Sequence, residues 1–434
     1  MLNIRKTAFW LIDSLKGGTL RSHYKDVKDN LTYFEDDGNI QKRKLYQEEL
    51  LVHARNSSPF YNDVKGNSIT DFPVINKRIV RDKFENFRST SEQFKCASTV
   101  VTSGSTGTPF SVEIDRRKQW RNTADTIFFG ELAGFEIGHK LYLFKIWNQI
   151  NRKSWITAFM QNIVPYDVRN LGEKDLAKMI ERMKKDRSKK AFLAYASVYD
   201  EIVAYLSTTT YSPLDCNLQA IIAASESFSH VTKEKMSEIF GVGAVSRYSN
   251  VENGIIAQQL PGGSGEFLIN EASYFVEILE QNSDTPVIEG KPGRIIITDL
   301  FNYRMPLIRY DTGDIGILES REIFGATRQV FTSIEGRRMD LIYDTAGFLV
   351  SSYVITNNMW KYMEIKQYQF IQTSEKEYLF KLNTDMPFDR EREIISEFTN
   401  YFGQDSTISV EYVSEIPLLA SGKRKKVMNS WKNP

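Results

Sequence analysis

Short apolar, β-branched runs alternate with helical stretches in the middle of the chain, and this alternation constrains the fold more than any other feature. Four such runs lie at 99–101, 141–144, 191–194 and 220–224, and an apolar helical stretch at 198–206 separates the last two. Strands that are apolar throughout and separated by helices are typical of a parallel sheet covered on both faces. The pattern therefore predicts an α/β domain around a largely parallel sheet.

The regions on either side of this alternation have a different pattern. The first 95 residues are mostly helical in character, with the clearest apolar period of 3.6 at 42–52 and with Asn76 as the N-cap of a later helix. After Gly241 short β-rich runs predominate, punctuated by Gly and Pro. The last hundred residues combine a hairpin pattern, an amphipathic helix and a further strand. This mixture predicts a small, separate α+β unit.

The fold class that we expect is α/β. A large N-terminal domain has mixed and parallel sheets flanked by helices, and a small mobile α+β domain follows it. Residues 1–95 form the helical N-terminal region of the large domain, residues 96–336 form its nucleotide- and substrate-binding core, and residues 337–434 form the small C-terminal lid.

Charge and composition argue against several classes of protein. Lys and Arg total 56 and Asp and Glu total 55, and this near-neutral balance argues against a dedicated nucleic-acid binder. Cys96 and Cys216 are too few for a disulfide framework, so we expect a cytoplasmic protein. The four histidines have no metal-ligand spacing, so a zinc site is not expected.

The N-terminus is amphipathic but far from long enough to span a membrane, which takes roughly 18 apolar residues. Its apolar and basic positions are Leu2, Phe9, Ile12 and Leu15, and Arg5, Lys6 and Lys16. A helix of this kind either lies at a membrane interface or packs on its own domain. We expect it to pack on its own domain, with a peripheral position at the inner face of the membrane as the alternative.

One segment, Thr102–Pro109, is unusually rich in Ser, Thr and Gly and directly follows the run at 99–101. Glycines allow a backbone to wrap closely around an anion with its N–H groups pointing inward, and hydroxyls donate further hydrogen bonds to phosphate oxygens. The lysine of the GxxxxGK[ST] loop is missing. By composition alone the segment is either a phosphate-binding loop or an ordinary surface turn.

Thr102–Pro109 resembles the phosphate-binding loop of the acyl-adenylate-forming superfamily, which includes acyl-CoA synthetases and nonribosomal peptide adenylation domains. The family's other motifs follow in order, at 248–252, 309–314, 336–337 and 421–423. Five motifs in the family's order over more than 300 residues make chance a poor explanation.

The branch of the superfamily is indicated by three further segments. Residues 54–61, 72–77 and 306–310 are similar to phenylacetate–CoA ligase-like proteins. Within that branch, the chain most resembles proteins encoded together with enzymes for capsule or other surface-polysaccharide biosynthesis. The resemblance implies an ATP-dependent acid–thiol or acid–amine ligase of the adenylate-forming type. A carboxylate and ATP give acyl-AMP and pyrophosphate, and the acyl group then passes to CoA or an amine.

The resemblance also implies roles for individual residues. Six residues of the loop bind the ATP phosphates: Thr102, Ser103, Gly104, Ser105, Thr106 and Gly107. Adenine and ribose are bound by Ser225, Glu226, Tyr248, Asp314 and Arg337. Lys423 and Glu252 are the implied catalytic residues, and Glu252 is also the implied Mg²⁺ ligand, since Mg²⁺ prefers carboxylate and phosphate oxygens.

Without the resemblance, two of these residues would be interpreted as ordinary surface or turn residues with no role in a site. Lys423 would belong to a solvated basic run with Arg424 and Lys425, and Asp314 would be an ordinary turn residue after Gly313. With it, Lys423 is the cation at the α-phosphate and Asp314 accepts both ribose hydroxyls, since a carboxylate takes two donors at once.

Several positions depart from the family pattern. Val251 stands where the family has a hydroxyl residue, Ser249 where it has glycine, and Met339 where it has the hinge aspartate. Residues 343–347 replace a loop that serves the thioester step, so adenylation is better supported than transfer to CoA. The alternative function is a non-catalytic nucleotide-binding scaffold in a polysaccharide assembly system.

The cofactors that follow from the resemblance are ATP and Mg²⁺, with CoA if the acceptor is a thiol. The partners are a small carboxylate, the thiol or amine acceptor and polysaccharide-biosynthesis enzymes. Neither a nucleic acid nor a membrane span is expected.

Overall fold

The structure is a computed structural model. It describes residues 3–431 apart from 103–109, 148–153, 208–212, 226–227, 338–341, 351–353, 356–357, 363, 385–387 and 418–423.

The N-terminal region is helical, as the sequence predicts. Its elements are α1 (Ile4–Leu15), α2 (Thr19–Thr32), α3 (Asp37–Ser57), the two-residue strand β1 (Ile75–Asn76), α4 (Lys77–Asp82) and α5 (Phe84–Phe87). The side chain of Asn76 accepts a hydrogen bond from the Ile79 amide at 3.0 Å, which confirms the predicted N-cap. Helix α3 contains the predicted segment 42–52 and ends before Pro59, because a residue that precedes proline avoids the helical conformation.

The alternating middle of the chain forms a hairpin and then a parallel sheet with its helices. These elements are β2 (Ser98–Thr102), β3 (Phe110–Ile114), α6 (Arg116–Leu132), β4 (Lys140–Lys145), α7 (Trp155–Met160), β5 (Ile163–Asp167), α8 (Glu173–Lys185), β6 (Lys190–Tyr195), α9 (Ala196–Ser207), β7 (Leu218–Ala224), α10 (His230–Phe240) and β8 (Ala244–Asn250). Strands β5, β4, β6, β7 and β8 are parallel neighbours in that order.

Both faces of this parallel region are covered, which explains why its strands are apolar throughout. On one face, Phe192 and Ile221 pack with residues of α8, α9 and α10. On the other face, Ala191 and Ala220 pack in a second cluster with Ala133, just after α6. The predicted parallel α/β core is therefore present for the runs at 141–144, 191–194 and 220–224, but the run at 99–101 lies in β2, which pairs antiparallel with β3 in a separate two-stranded sheet.

The sheet continues with antiparallel strands. They are β9 (Gly254–Gln259), β10 (Phe267–Ile269), β11 (Tyr274–Leu279), β12 (Pro292–Asp299), β13 (Tyr310–Ile323) and β14 (Ala326–Arg337). The complete order is β11-β12-β13-β14-β10-β9-β8-β7-β6-β4-β5, and β1 adds a parallel pair on β13. Asp314 therefore lies within the long strand β13, so the interpretation of Asp314 as an ordinary turn residue is wrong.

The C-terminal part is a smaller α+β unit with its own core. It contains β15 (Ile342–Tyr343), β16 (Leu349–Val350), β17 (Ile365–Gln372), β18 (Glu377–Thr384), α11 (Glu391–Phe402), β19 (Thr407–Tyr412) and β20 (Val427–Asn429). The predicted hairpin is the antiparallel pair β17–β18, and the sheet order is β19-β18-β17-β20. Phe370, Phe398 and Phe402 pack together beneath it.

Helix α6 carries two fully buried cations that connect the N-terminal helices to the sheet. Lys118 forms an ion pair of 2.6 Å with Asp299 at the end of β12, and both side chains are buried. Arg121 donates to Asp26 of α2 at 2.6 Å and to Ser273, just before β11, at 2.7 Å. Buried charges of this kind need paired and hydrogen-bonded surroundings, so the three elements are held in one arrangement.

Replacing Arg121 by methionine tests this connection. Arg121→Met keeps an unbranched apolar stem but removes the guanidinium that donates to Asp26 Oδ2 and to the Ser273 hydroxyl, while Tyr46 still donates to Asp26 Oδ1. We expect the free energy of unfolding, measured by urea denaturation, to fall by about 3–5 kcal/mol. The matched control is Arg116→Met on the exposed side of the same helix, which should change it by no more than about 0.5 kcal/mol. Equal effects of the two substitutions would contradict a structural role for Arg121.

Candidate functional site

Several of the residues implicated by sequence meet at the carboxyl ends of the parallel strands, where open α/β sheets commonly bind ligands. Ser225 follows β7 directly and has a positive φ of 72°. Tyr248 is on β8, Glu252 is in the turn between β8 and β9, and Asp314 is near the start of β13. Tyr248 contacts Asp314, so the fold brings together two motifs that are more than sixty residues apart in the chain.

The Tyr248 hydroxyl orients the carboxylate of Asp314. It donates to Asp314 Oδ2 at 2.7 Å and lies 3.3 Å from Thr312 Oγ1. Burial, and then the negative charge of Asp314, hold the pKa of Tyr248 well above its usual range, so the phenol keeps its proton and acts as the donor. The ring of Tyr248 packs edge-on against Phe331, with 6.1 Å between ring centroids. The tyrosine is thereby fixed from two sides.

A second cluster forms around the carboxylate of Glu252, which is only 2% exposed. Its Oε1 accepts a hydrogen bond from the Tyr310 hydroxyl at 2.7 Å and lies 2.9 Å from Lys77 Nζ. Burial, and then the charge of Glu252, raise the pKa of Tyr310 far above its usual range. The cluster thus presents one carboxylate that is held by a neutral phenol and balanced by a partly exposed ammonium group.

The position of Lys77 follows from the pairing of β1 with β13. Ile75 is in register with Tyr310 and Asn76 with Asp311, so the chain enters α4 beside the cluster. Lys77 is the first residue of that helix, and its ammonium group also stands 5.7 Å from the centroid of the Phe110 ring. The segment 72–77, one of the three that indicated the branch, therefore contributes directly to the site.

The turn that carries Glu252 is supported from the core. Gly254 has φ +106°, and a Cβ there would stand 2.8 Å from Asn122 Oδ1, so a side chain at this position would be strained and crowded. The Asn253 carbonyl accepts a hydrogen bond from the Tyr274 hydroxyl, which in turn accepts one from the buried Lys118 at 3.1 Å. The connection between α6 and the sheet therefore also fixes this turn.

The motif at 309–314 divides into structural and site-facing residues. Arg309 is buried, adopts φ 52° and bonds Glu277 through two nitrogens, at 3.1 and 3.0 Å. Asp311 accepts from Arg294 at 2.9 Å and from the Gly313 amide at 2.8 Å. These two charges stabilise the strand, and Thr312 and Asp314 face Tyr248.

Thr312, Tyr310 and Lys77 are site residues that the sequence analysis did not single out. Thr312 and Tyr310 lie inside a recognised motif, and the alternation of side chains along β13 could have suggested that they share the site. Lys77 is a single lysine after an N-cap, and only the long-range pairing of β1 with β13 brings it to Glu252.

The C-terminal unit contacts the large domain through a basic segment near its end. Arg424 Nη1 lies 3.2 Å from Glu201 Oε1, and Lys426 forms an ion pair with Asp200, both acids being on α9. Asp200 also accepts from Thr232 of α10 at 2.7 Å. This contact lies on the helix that directly follows β6, one strand away from Ser225 after β7.

Some implicated residues lie outside the described part of the chain. These are Ser103, Gly104, Ser105, Thr106, Gly107, Glu226 and Lys423. Thr102 is the last residue of β2, and the backbone of Arg337 is in register with Asp314 at the end of β14. Their assignments stay predictions.

The described residues contain no group of three or more His, Cys, Asp or Glu side chains that could hold a metal ion. In the same residues, no helix combines the length and apolar character needed to cross a bilayer.

The chain is similar to known proteins in sequence and in fold. Residues 342–430 match the family described as the CapK C-terminal domain. Phenylacetate-coenzyme A ligase of Thermus thermophilus is 29% identical over 139 residues, and this similarity covers 30% of each protein.

Solved structures show the same fold over most of the chain. 2-Hydroxyisobutyryl-CoA ligase in the postadenylation state has a TM-score of 0.68 at 16% identity and covers 92% of this chain and 91% of that one. The same ligase in the thioesterification state gives 0.57 at 15% identity, with the same two coverages. ATP-bound MatB from Rhodopseudomonas palustris gives 0.55 at 16% identity, covering 76% of this chain and 67% of that one.

The chain therefore shares the fold of the solved CoA ligases, is similar over part of its length to a phenylacetate-coenzyme A ligase, and matches the CapK C-terminal domain over residues 342–430.

Proposed function

We propose that this protein is an ATP-dependent adenylate-forming ligase that activates a carboxylic acid and passes the acyl group to CoA or an amine during surface-polysaccharide biosynthesis. The observation that carries the proposal is the Asp314 carboxylate, oriented by the Tyr248 hydroxyl at 2.7 Å on β13, which neighbours the strand that ends at Arg337. A carboxylate fixed in this way suits the paired hydroxyls of a ribose.

In the proposed first step, a carboxylate oxygen of the substrate bonds to the α-phosphorus of ATP, and the bond from that phosphorus to the bridging oxygen breaks. Pyrophosphate leaves and acyl-AMP remains. Negative charge builds on the α-phosphate oxygens, so a positioned cation and oriented donors lower the barrier. We assign the cation to Lys423 and the donors to Thr102–Gly107, with Ser225, Glu226 and Arg337 beside the nucleoside.

Glu252 suits a role as the Mg²⁺ ligand. Mg²⁺ is usually bound through one or two carboxylates together with substrate phosphates, and Glu252 offers one buried carboxylate beside the nucleotide residues. When bound, the ion would neutralise charge on the phosphates. Tyr310 would hold the carboxylate in place, and Lys77 would balance its charge when no cation is bound.

The contact between the C-terminal unit and α9 supports the proposal that this conformation serves the adenylation step. Arg424, which follows Lys423 in the chain, is held on α9 by Glu201 at 3.2 Å. The greater similarity to the postadenylation form of the solved ligase agrees with this arrangement. In the second step, a thiolate or amine attacks the acyl carbonyl and AMP leaves.

The acceptor and the pathway are proposed from the proteins that this chain resembles. The curated relative and the solved neighbour are CoA ligases by name, which favours a thiol, and the CapK match favours a place in capsule synthesis. We place the reaction in the cytoplasm, where ATP is available. Polysaccharide-biosynthesis enzymes would then supply the acceptor or use the product.

The decisive experiment measures pyrophosphate release with Mg-ATP and a panel of aryl, fatty, amino and uronic acids, using hydroxylamine to trap acyl-adenylate. We expect release with one class of acid, and we expect Lys423→Ala to lower it by about 10²–10³-fold because a positioned charge is lost. The matched control is Lys425→Ala in the same basic run, which should have little effect.

The outcomes separate the candidate functions. Equal loss in the Lys423 and Lys425 variants would remove Lys423 from the mechanism. Release that needs CoA would identify a thiol acceptor, and product formed with an amine alone would identify an amine acceptor. ATP binding with no release for any acid would favour the nucleotide-binding scaffold.

The ribose assignment is tested by calorimetry of ATP binding. Asp314→Ala should raise Kd by roughly 10- to 100-fold, because hydrogen bonds to a charged group are lost. Tyr248→Phe, which keeps the ring and removes only the hydroxyl that orients Asp314, should raise Kd by a smaller factor of about 5–10. The control is Asp215→Ala at an exposed position. An unchanged Kd for Asp314→Ala would refute the assignment.

Lys77 and Glu252 should affect Mg²⁺ binding in opposite directions. In the presence of a non-hydrolysable ATP analogue, Glu252→Gln should weaken Mg²⁺ binding by about tenfold, because a carboxylate ligand becomes neutral. Lys77→Gln should strengthen it, because the ammonium group at 2.9 Å no longer competes for the same oxygen. Weaker binding in the Lys77 variant would show instead that this lysine contacts the phosphates.

A further inference from the structure

Helix α1 exposes its apolar side to solvent. Ile4, Leu11 and Leu15 are at helical positions that share one face, and Ile12 extends that face by one position. All four are exposed, with Leu15 at 80% and Ile4 at 74%. An amphipathic helix on a globular domain normally turns this side toward the core, so the exposed stripe points to something outside the chain.

The opposite side of α1 attaches it to its own domain through polar and aromatic contacts. Asn3 donates to the Ile137 carbonyl at 2.7 Å, and Lys6 lies 3.0 Å from both Glu131 and Glu136. Trp10 packs on Tyr24 of α2 with 5.3 Å between the ring centroids. The helix does pack on its domain as expected, but with its apolar stripe outward.

A second exposed apolar segment lies beside the first. Helix α7 presents Trp155, Ile156, Phe159 and Met160 to solvent, and Trp155 is 79% exposed. Arg5 of α1 joins the two helices, because its guanidinium donates to the carbonyls of Phe159 at 2.7 Å and Met160 at 3.1 Å. We call the exposed side chains of α1 and α7 together the apolar ridge.

Basic residues border the ridge on the side of α2. Arg21, Lys25 and Lys28 are all exposed and are spaced i, i+4 and i+7, so they share one face of α2. Arg21 stands 5.7 Å from the centroid of the Trp10 ring, so this face of α2 flanks α1 on the side of Trp10. We call these three residues the basic border.

The acidic residues nearby offset this charge only in part. Asp26 bonds Arg121, which is buried. Asp13 accepts from the backbone amides of Leu20 and Arg21, where it caps the start of α2. Glu131 and Glu136 both pair with Lys6. Arg5, Lys6, Lys16, Arg21, Lys25 and Lys28 outnumber Asp13, Asp29, Glu131 and Glu136, so the surface around the ridge keeps a net charge of 6 − 4 = +2.

We propose that the apolar ridge and the basic border bind the surface of an anionic phospholipid bilayer. Apolar and aromatic side chains of a helix that lies along a membrane enter the boundary between headgroups and acyl chains, and Trp favours this zone. Lysines and arginines at the edge attract the negative headgroups. Association with a second copy through the same surface is disfavoured, because an isologous contact would bring the two basic borders close together. This proposal is independent of the proposed ligase activity.

The test is cosedimentation of the full chain with vesicles of phosphatidylcholine alone or mixed with phosphatidylglycerol. We expect binding to the mixed vesicles that weakens with added salt, because charged headgroups are screened. The double substitution Leu15→Gln with Trp155→Gln should lower the partition coefficient at least about tenfold by removing two large apolar side chains from the ridge. The triple substitution Arg21→Gln, Lys25→Gln and Lys28→Gln should abolish the preference for phosphatidylglycerol.

The controls match these variants in chemistry and exposure. Ile288→Gln with Phe348→Gln removes two large apolar side chains that are 81% and 72% exposed elsewhere on the surface. Lys65→Gln, Lys95→Gln and Lys291→Gln makes the same change of charge at exposed positions outside the ridge. Both controls should bind vesicles as the unmodified chain does, and thermal unfolding should verify that every variant is folded.

Three results would overturn the proposal. One is no vesicle binding by the unmodified chain at low salt. Another is equal binding by the ridge variant and its control. The third is a dimer in sedimentation velocity that the ridge variant breaks, which would assign the surface to a second copy of this chain.

Discussion

The buried cations of α6 are the constraint on which the rest of the large domain depends. Lys118 reaches Asp299 at the end of β12 and Tyr274 at the start of β11, and Arg121 reaches Asp26 of α2. Each charge is expensive to bury and is stable only when all its partners are in place. One helix therefore fixes the N-terminal helices, the antiparallel strands and, through Tyr274 and Asn253, the turn that presents Glu252.

The positions of the candidate site residues depend on these contacts of α6. Two phenols, Tyr248 and Tyr310, each hold one carboxylate, and burial keeps both phenols protonated. The Asp314 and Glu252 carboxylates are therefore each held at a fixed position by a neutral phenol, and Glu252 is also paired with the ammonium group of Lys77.

Much of the fold could be predicted from local patterns, because the parallel strands are apolar throughout and the caps and breakers are explicit, as at Asn76 and Pro59. The site could be predicted only where residues lie inside ordered motifs, as Tyr248, Glu252 and Asp314 do. Lys77 could not, because its place depends on a pairing between distant strands. The outward side of α1 could not either, since the same amphipathic pattern serves a core or an external surface.

The pairing of β1 with β13 has a consequence for how the molecule forms during synthesis. Ile75 and Tyr310 are in register although 310 − 75 = 235 positions separate them, so a very long loop must close before they meet. Contacts of such high sequence separation form slowly and late. A chain emerging from the ribosome can complete its parallel strands well before β13 exists, but it cannot bring Lys77, Glu252 and Tyr310 together. Nascent chains that stop short of β13 would thus be partly folded and unable to complete the candidate site.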